Sequence, residues 1–77
     1  MPTVYRLGSI QIIFRFNDHA PPHFHVEYGK SKASFAIDDL RVLAGNLPPK
    51  IHREVMEWAT PAPRRQWLIN EWAKHQR

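Results

Sequence analysis

Hydrophobic and polar positions alternate along the first half of the chain. In residues 10–16 every second side chain, from Ile10 to Phe16, is large and apolar. Side chains two residues apart point the same way on a strand, so this segment predicts a strand with one buried face. Other segments have the β-branched, aromatic or alternating residues typical of strands: 3–7, 23–28, 32–37 and, as a short last strand, 40–43.

A helical period replaces this alternation in the second half. One apolar stripe has spacings of three and four residues: Ile51, Val55, Trp58 and Ala59. Pro48-Pro49 suits a first helical turn, where a missing N–H costs little. These features predict a helix that begins near Pro49 and packs its stripe on the sheet.

Thr60-Pro61 ends that helix and predicts the start of a second one, with Thr60 as N-cap and Pro61 at the first position. The second helix has a predicted buried stripe: Leu68, Ile69 and Trp72. Trp67 lies off this stripe and is predicted to be exposed. His52 and His75 are predicted to face solvent on the two helices.

Strands first and helices last indicate an α+β fold. We predict an antiparallel meander of four or five strands in residues 1–43, followed by two helices in residues 48–76 that pack on one sheet face. Residues 1–77 are expected to form a single domain, because no linker, repeat or low-complexity segment interrupts them.

Composition excludes several classes of protein. The chain has no cysteine, which removes disulfides, thiolate metal sites and cysteine nucleophiles. Its three glycines form no phosphate-binding loop, and no serine lies in a nucleophile motif. Neither a signal-peptide pattern nor an apolar run of membrane-spanning length is visible. We therefore expect a cytoplasmic protein that does not enter a membrane.

The chain is basic, with a formal net charge of +4 at pH 7. Residues 48–77 carry six lysines and arginines against three glutamates, so most of the excess lies in the helical half. Such a segment favours nucleic acid or an acidic protein as partner, although a solvated surface has the same composition. Arg64, Arg65 and Trp67 are the predicted partner-binding or nucleic-acid-binding residues.

Residues 17–26, Asn-Asp-His-Ala-Pro-Pro-His-Phe-His-Val, hold three of the five histidines. If residues 23–28 are a strand, His23, His25 and Glu27 share one face and Phe24 lies on the other. Two prolines stiffen the segment before the strand. Asp18 and His19 are therefore expected to fold back towards His23 and His25.

This histidine cluster is compatible with three kinds of site. His19, His23 and His25 could hold a zinc-like divalent metal ion with one position open, and Asp18 or Glu27 could orient a ligand or act as a base. Without a metal, the imidazoles could perform acid–base catalysis or bind a phosphate or carboxylate. They could equally be hydrogen-bonded groups that lock a loop.

The same ten residues resemble the hallmark of a family of small bacterial proteins classed as a domain of unknown function. Residues 1–6, residues 38–43 and the helical C-terminus are also similar to that family. Its members are often encoded beside another small protein. The resemblance therefore implies one component of a toxin–antitoxin-like pair, and it brings no established activity.

Two hypotheses follow from these observations. The first is a binding or regulatory module that pairs with a small protein from a neighbouring gene, or with a second copy of itself. The second is a small hydrolase of the ribonuclease or phosphodiesterase type, in which Asp18, His19, His23 and His25 perform the catalysis. A helix–turn–helix role for residues 49–76 is less favoured, because the join between the helices is shorter than that motif uses.

Overall fold

The computed structural model describes residues 3–15 and 20–76. Five strands precede two helices: β1 (Thr3–Leu7), β2 (Ile10–Phe14), β3 (His23–Tyr28), β4 (Ser31–Ala36), β5 (Val42–Asn46), α1 (Pro49–Ala59) and α2 (Ala62–Lys74). All neighbouring strands are antiparallel, and their order in the sheet is their order along the chain. The predicted α+β meander with two C-terminal helices is confirmed, with five strands.

One face of the sheet and the two helices enclose the core. The largest fully buried side chains come from three strands, the end of β4 and both helices: Phe14, Phe24, Phe35, Ile12, Ile37, Leu68, Val26 and Val55. The alternation predicted for β2 is confirmed, since Ile10, Ile12 and Phe14 all belong to this core. Phe16, at the end of that pattern, lies outside the described residues.

The last strand lies two to three residues later than predicted. A turn occupies residues 37–39. The Asp38 carboxylate accepts a hydrogen bond from the Asp39 N–H at 2.7 Å, and the Asp39 carboxylate accepts one from the Arg41 N–H at 3.0 Å. Leu40 adopts the left-handed region at φ 61 and turns its side chain into the core, where 8% of it is exposed. These turn contacts delay the strand until Val42.

Gly45 lies within β5, beyond residue 43, where the predicted last strand ends. Its φ is +73, and a Cβ built on it would overlap the carbonyl oxygen of Lys32 on the neighbouring strand. Only glycine accommodates both this backbone conformation and this close approach. The glycine at position 45 therefore allows β5 to pair with β4.

The first helix confirms its predicted stripe at three positions, since Ile51, Val55 and Ala59 are buried. Thr60 does not cap the second helix as predicted. Its hydroxyl donates to the Met56 carbonyl at 2.6 Å, which satisfies a carbonyl at the end of α1. The second helix therefore begins at Ala62, without a side-chain cap. Among the described residues, no helix is both long and apolar enough to cross a membrane.

The buried face of α2 differs from the predicted stripe. Leu68 is buried, but Ile69 is 37% exposed, and two polar residues, Glu71 at 4% and His75 at 5%, are buried instead. The ring of His75 stacks on the ring of Phe14, with centroids 5.7 Å apart. Its Nδ1 donates a hydrogen bond to the Glu71 carbonyl oxygen at 2.6 Å. The prediction of a solvent-facing His75 is wrong because this stacking and this hydrogen bond compensate its burial.

A buried carboxylate joins the two ends of the described chain. The Tyr5 hydroxyl donates to Glu71 Oε1 at 2.5 Å, and Lys74 Nζ donates to Oε2 at 2.9 Å. The hydrogen bond from Tyr5 is the main cause that lowers the pKa of Glu71, and the same bond raises the pKa of Tyr5. The bond therefore fixes α2 against β1 while Glu71 is charged and Tyr5 is neutral.

Replacing Tyr5 by Phe should lower the free energy of unfolding by about 1–3 kcal/mol, because a charged acceptor loses a donor in a buried site. Because the pKa of Glu71 is lower in the folded state than in the unfolded state, its charged form stabilises the protein at pH values above the unfolded-state pKa. This stabilisation is lost as the pH falls through the folded-state pKa. The difference between wild type and Tyr5→Phe should therefore shrink below about pH 4.

Chemical denaturation between pH 3 and pH 8 measures this difference. Tyr28→Phe is the matched control, since Tyr28 is also a half-buried tyrosine of the sheet. If both variants lose the same stability at every pH, the bond to Glu71 does not have the role assigned to it.

Candidate functional site

The face of the sheet opposite the core carries the polar side chains of β3. Phe24 and Val26 are fully buried in the core, so the period of two puts His23, His25 and Glu27 on the other face. The rings of His23 and His25 confirm this arrangement, with centroids 4.9 Å apart. We call this surface the outer face; its polar residues include Arg15, His23, His25, Glu27, Lys32 and Ser34.

His23 is held in place from several sides. Its Nδ1 lies 2.8 Å from the Pro21 carbonyl oxygen, which can only accept, so Nδ1 carries the hydrogen and in the neutral ring Nε2 keeps the lone pair. Its ring also contacts Trp72 of α2 at 4.9 Å, and only 8% of the residue is exposed. His23 therefore joins the outer face to the second helix.

The segment before β3 positions His23. The Ala20–Pro21 peptide bond is cis, an isomer that is rare except before proline. The carbonyl of Pro22 accepts a hydrogen bond from the N–H of Ile37 at 3.0 Å, next to the end of β4. The carbonyl of Pro21 therefore accepts a hydrogen bond from the His23 imidazole, and the carbonyl of Pro22 accepts one from the backbone next to the end of β4.

His25 is half-buried and lines a groove of about 330 Å³ on the outer face. We call it the outer groove. Cross-strand pairing sets its composition, because His25 lies opposite Ser34 and Glu27 lies opposite Lys32. Arg15 extends from the end of β2, and Ala44 and Gly45 of β5 form the far side.

The outer groove has an excess of positive charge. Arg15 and Lys32 are its cations, and Glu27 is the one carboxylate among the described lining residues. Arg15 Nη2 and Glu27 Oε2 are 3.9 Å apart, which is too far for a hydrogen bond, and 51% of the Arg15 side chain is exposed. Its guanidinium can therefore turn towards a ligand without losing a strong contact.

The two neighbouring arginines of α2 serve different surfaces. The Arg64 guanidinium lies over the rings of Trp58 at 4.6 Å and Trp67 at 5.6 Å, a cation–π arrangement. Arg65 Nη2 instead donates to the Asp38 carbonyl at 2.5 Å, so it holds the turn before β5 against α2. The predicted partner-binding residues therefore do not form one patch.

Trp67 is half-buried rather than exposed. Its ring packs against Tyr5 at 4.7 Å and Phe14 at 6.2 Å, and Arg64 covers part of it. Most of its contacts are therefore with the core, and a substitution there would disturb folding as well as any interface.

Two of the predicted catalytic residues, Asp18 and His19, lie outside the described residues. Within residues 3–15 and 20–76 no group of three or more His, Cys, Asp or Glu side chains is arranged to hold a metal ion. The predicted triad of His19, His23 and His25 needs His19, so the zinc-like site stays a prediction.

Three groove residues were not among the predicted site residues: Arg15, Lys32 and Ser34. The alternation in the sequence already indicates that each points away from the core. It does not indicate which strands are neighbours, and the pairing of β3 with β2 and β4 is what brings them beside His25. The groove therefore depends on sheet register, which the sequence pattern alone leaves open.

A comparison with protein-family models matches residues 9–73 to a domain of unknown function, DUF4160. The matched span runs from the start of β2 almost to the end of α2, so it contains the outer groove and both helices. No curated protein and no solved structure gives a significant match to the chain.

We expect His23 and His25, the two histidines of the outer face, to contribute differently to stability. His23→Ala should lower the free energy of unfolding by about 1–3 kcal/mol, because it removes a buried ring that contacts Trp72 and leaves the Pro21 carbonyl without its donor. His25→Ala should cost less than about 1 kcal/mol, because that residue is half-exposed. Urea denaturation of both variants tests this order, and a larger loss for His25→Ala would contradict it.

Proposed function

This chain belongs to the DUF4160 family of domains of unknown function, and we propose that it is a small binding module, one component of a toxin–antitoxin-like protein pair. The resemblance of residues 17–26 to proteins that are encoded beside a second small protein supports the pairing. The proposal is carried by one structural observation, the exposure of the last strand of the sheet.

All five residues of β5 are exposed, including the apolar Val42 at 43% and Leu43 at 38%. One edge of β5 pairs with β4, and among the described residues no strand pairs with its other edge. Such an edge presents backbone N–H and C=O groups that can add a strand from another chain.

The sequence of β5, Val-Leu-Ala-Gly-Asn, contains no charge and no proline. Charged residues and prolines are the usual devices that keep an edge strand from pairing with other chains. The opposite edge strand, β1, carries Arg6 instead. The register shift between β4 and β5 gives Leu43 no cross-strand partner, because Phe35 pairs with Val42 and Ser34 with Ala44. These features favour β5 as the docking edge.

Coexpression of the tagged chain with the product of the adjacent gene tests the proposal. We expect a stable complex by size-exclusion chromatography, and growth inhibition by one of the two proteins that the other relieves. Leu43→Lys should weaken the complex by about tenfold or more, because it places a charge on the edge that pairs.

Ile69→Lys is the matched control, since Ile69 is 37% exposed on α2 and the substitution also replaces an exposed aliphatic side chain by lysine. Arg64→Ala reports on the helical surface that the sequence predicts. Absence of a complex would overturn the binding proposal, and a loss confined to Arg64→Ala would move the interface from β5 to the helices.

A small hydrolase that acts on phosphodiesters is the second candidate, favoured by the 4.9 Å separation of the His23 and His25 rings. In this candidate His25 is the acid–base group, His23 positions it, and Asp18 and His19 are the predicted additional groups. His25→Ala should then reduce hydrolysis of a short RNA by about a hundredfold or more, whereas Leu43→Lys should retain it. A wild-type protein without turnover would exclude this candidate.

A further inference from the structure

We infer that the outer groove binds a phosphate group, either of a free phosphate ester or of a nucleic acid backbone. The inference does not depend on partner binding. Ala44 and Gly45 of β5 line the groove on the face of the sheet, whereas a partner strand would pair with the outer backbone edge of β5. The inference also does not require turnover, so it can hold when the hydrolase candidate fails.

The shape of the groove fits a ligand of this size. Its volume is about 330 Å³, at the lower end of the range for small-molecule sites. Three adjacent strands supply its polar side chains, namely Arg15 from the end of β2, His25 and Glu27 from β3, and Lys32 and Ser34 from β4. The pairing of β3 with β4 fixes the relative backbone positions of His25, Glu27, Lys32 and Ser34, which reduces the entropy lost on binding.

Carboxylates balance the cations of the groove less completely than they balance Arg41 and Lys74. Arg41 lies 3.2 Å from Asp38 and 3.0 Å from Asp39, and Lys74 lies 2.9 Å from Glu71, so a carboxylate balances each of these cations. In the outer groove, Arg15 and Lys32 are near a single carboxylate, that of Glu27, and the Arg15–Glu27 distance is 3.9 Å. The groove therefore attracts an anion more strongly than these balanced positions do.

The donor set favours phosphate over carboxylate. The planar guanidinium of Arg15 can bind two oxygens side by side, which alone would satisfy a carboxylate. Lys32 and Ser34 offer further donors from another strand, and His25 offers one when its ring nitrogen carries a hydrogen. A tetrahedral phosphate has enough oxygens, pointing in different directions, to accept from all of them.

Glu27 provides a second test, in which a substitution should change phosphate affinity in the opposite direction. Its carboxylate faces the same groove, so it opposes an incoming anion and competes for Arg15. Removing its charge should tighten phosphate binding, whereas removing a cation should weaken it. If phosphate bound elsewhere on the protein, substitutions of Glu27 and of the groove cations would not change its affinity in these opposite directions.

The test is a titration of the ¹⁵N-labelled protein with inorganic phosphate, followed by amide chemical shifts. We expect saturable shifts in residues 25–27, 32–34 and 44–45. Arg15→Ala and Lys32→Ala should each weaken binding by about tenfold, and Glu27→Gln should strengthen it severalfold. Lys50→Ala is the matched control, because it removes an exposed cation from α1 and should leave the affinity within about twofold.

Two further probes define the ligand. A nucleoside monophosphate and a short single-stranded RNA, titrated at the same ionic strength, distinguish a free ester from a nucleic acid backbone, and saturable binding of either in the groove supports the inference. Acetate that binds as tightly as phosphate would overturn the assignment to phosphate. Shifts that are absent, or that respond to Lys50→Ala as strongly as to Arg15→Ala, would overturn the site.

Discussion

The packing of the helices on the sheet depends on a buried carboxylate that must remain hydrogen-bonded. Glu71 is 4% exposed and accepts hydrogen bonds from Tyr5 and Lys74, which offset the cost of removing its charge from water. Tyr5 comes from the first strand and Glu71 from the last helix, so the bond closes the helical layer over one sheet face. The side chains that alternate with the core residues lie on the outer face, and several of them line the groove.

The architecture was predictable because its signals are local. Alternation in β2 and β3 identifies strands and their buried faces without reference to any other segment, and the stripe of Ile51, Val55 and Ala59 does the same for α1. The shared face of His23 and His25 follows from the same period of two, and the 4.9 Å ring separation confirms it. Each of these features can be predicted from a short segment of the sequence alone.

The remaining features depend on contacts between distant segments. Nothing near Glu71 or His75 in the sequence indicates that Tyr5 and Phe14 will provide partners for them, so both look like solvent-facing residues. Gly45 looks like a strand breaker until the close approach of the Lys32 carbonyl is known. The outer groove is of the same kind, because it exists only once the register of neighbouring strands is set.

The sequential order of the strands has a consequence for how the chain acquires its structure. Each strand pairs with its neighbour in sequence, so the sheet needs only short loop closures, which are fast. The bond between Tyr5 and Glu71 spans 66 positions and is made after nearly the whole chain is available. During synthesis on the ribosome, all five strands emerge before α2, and until the helix arrives the aromatic face of the sheet is uncovered and prone to aggregation.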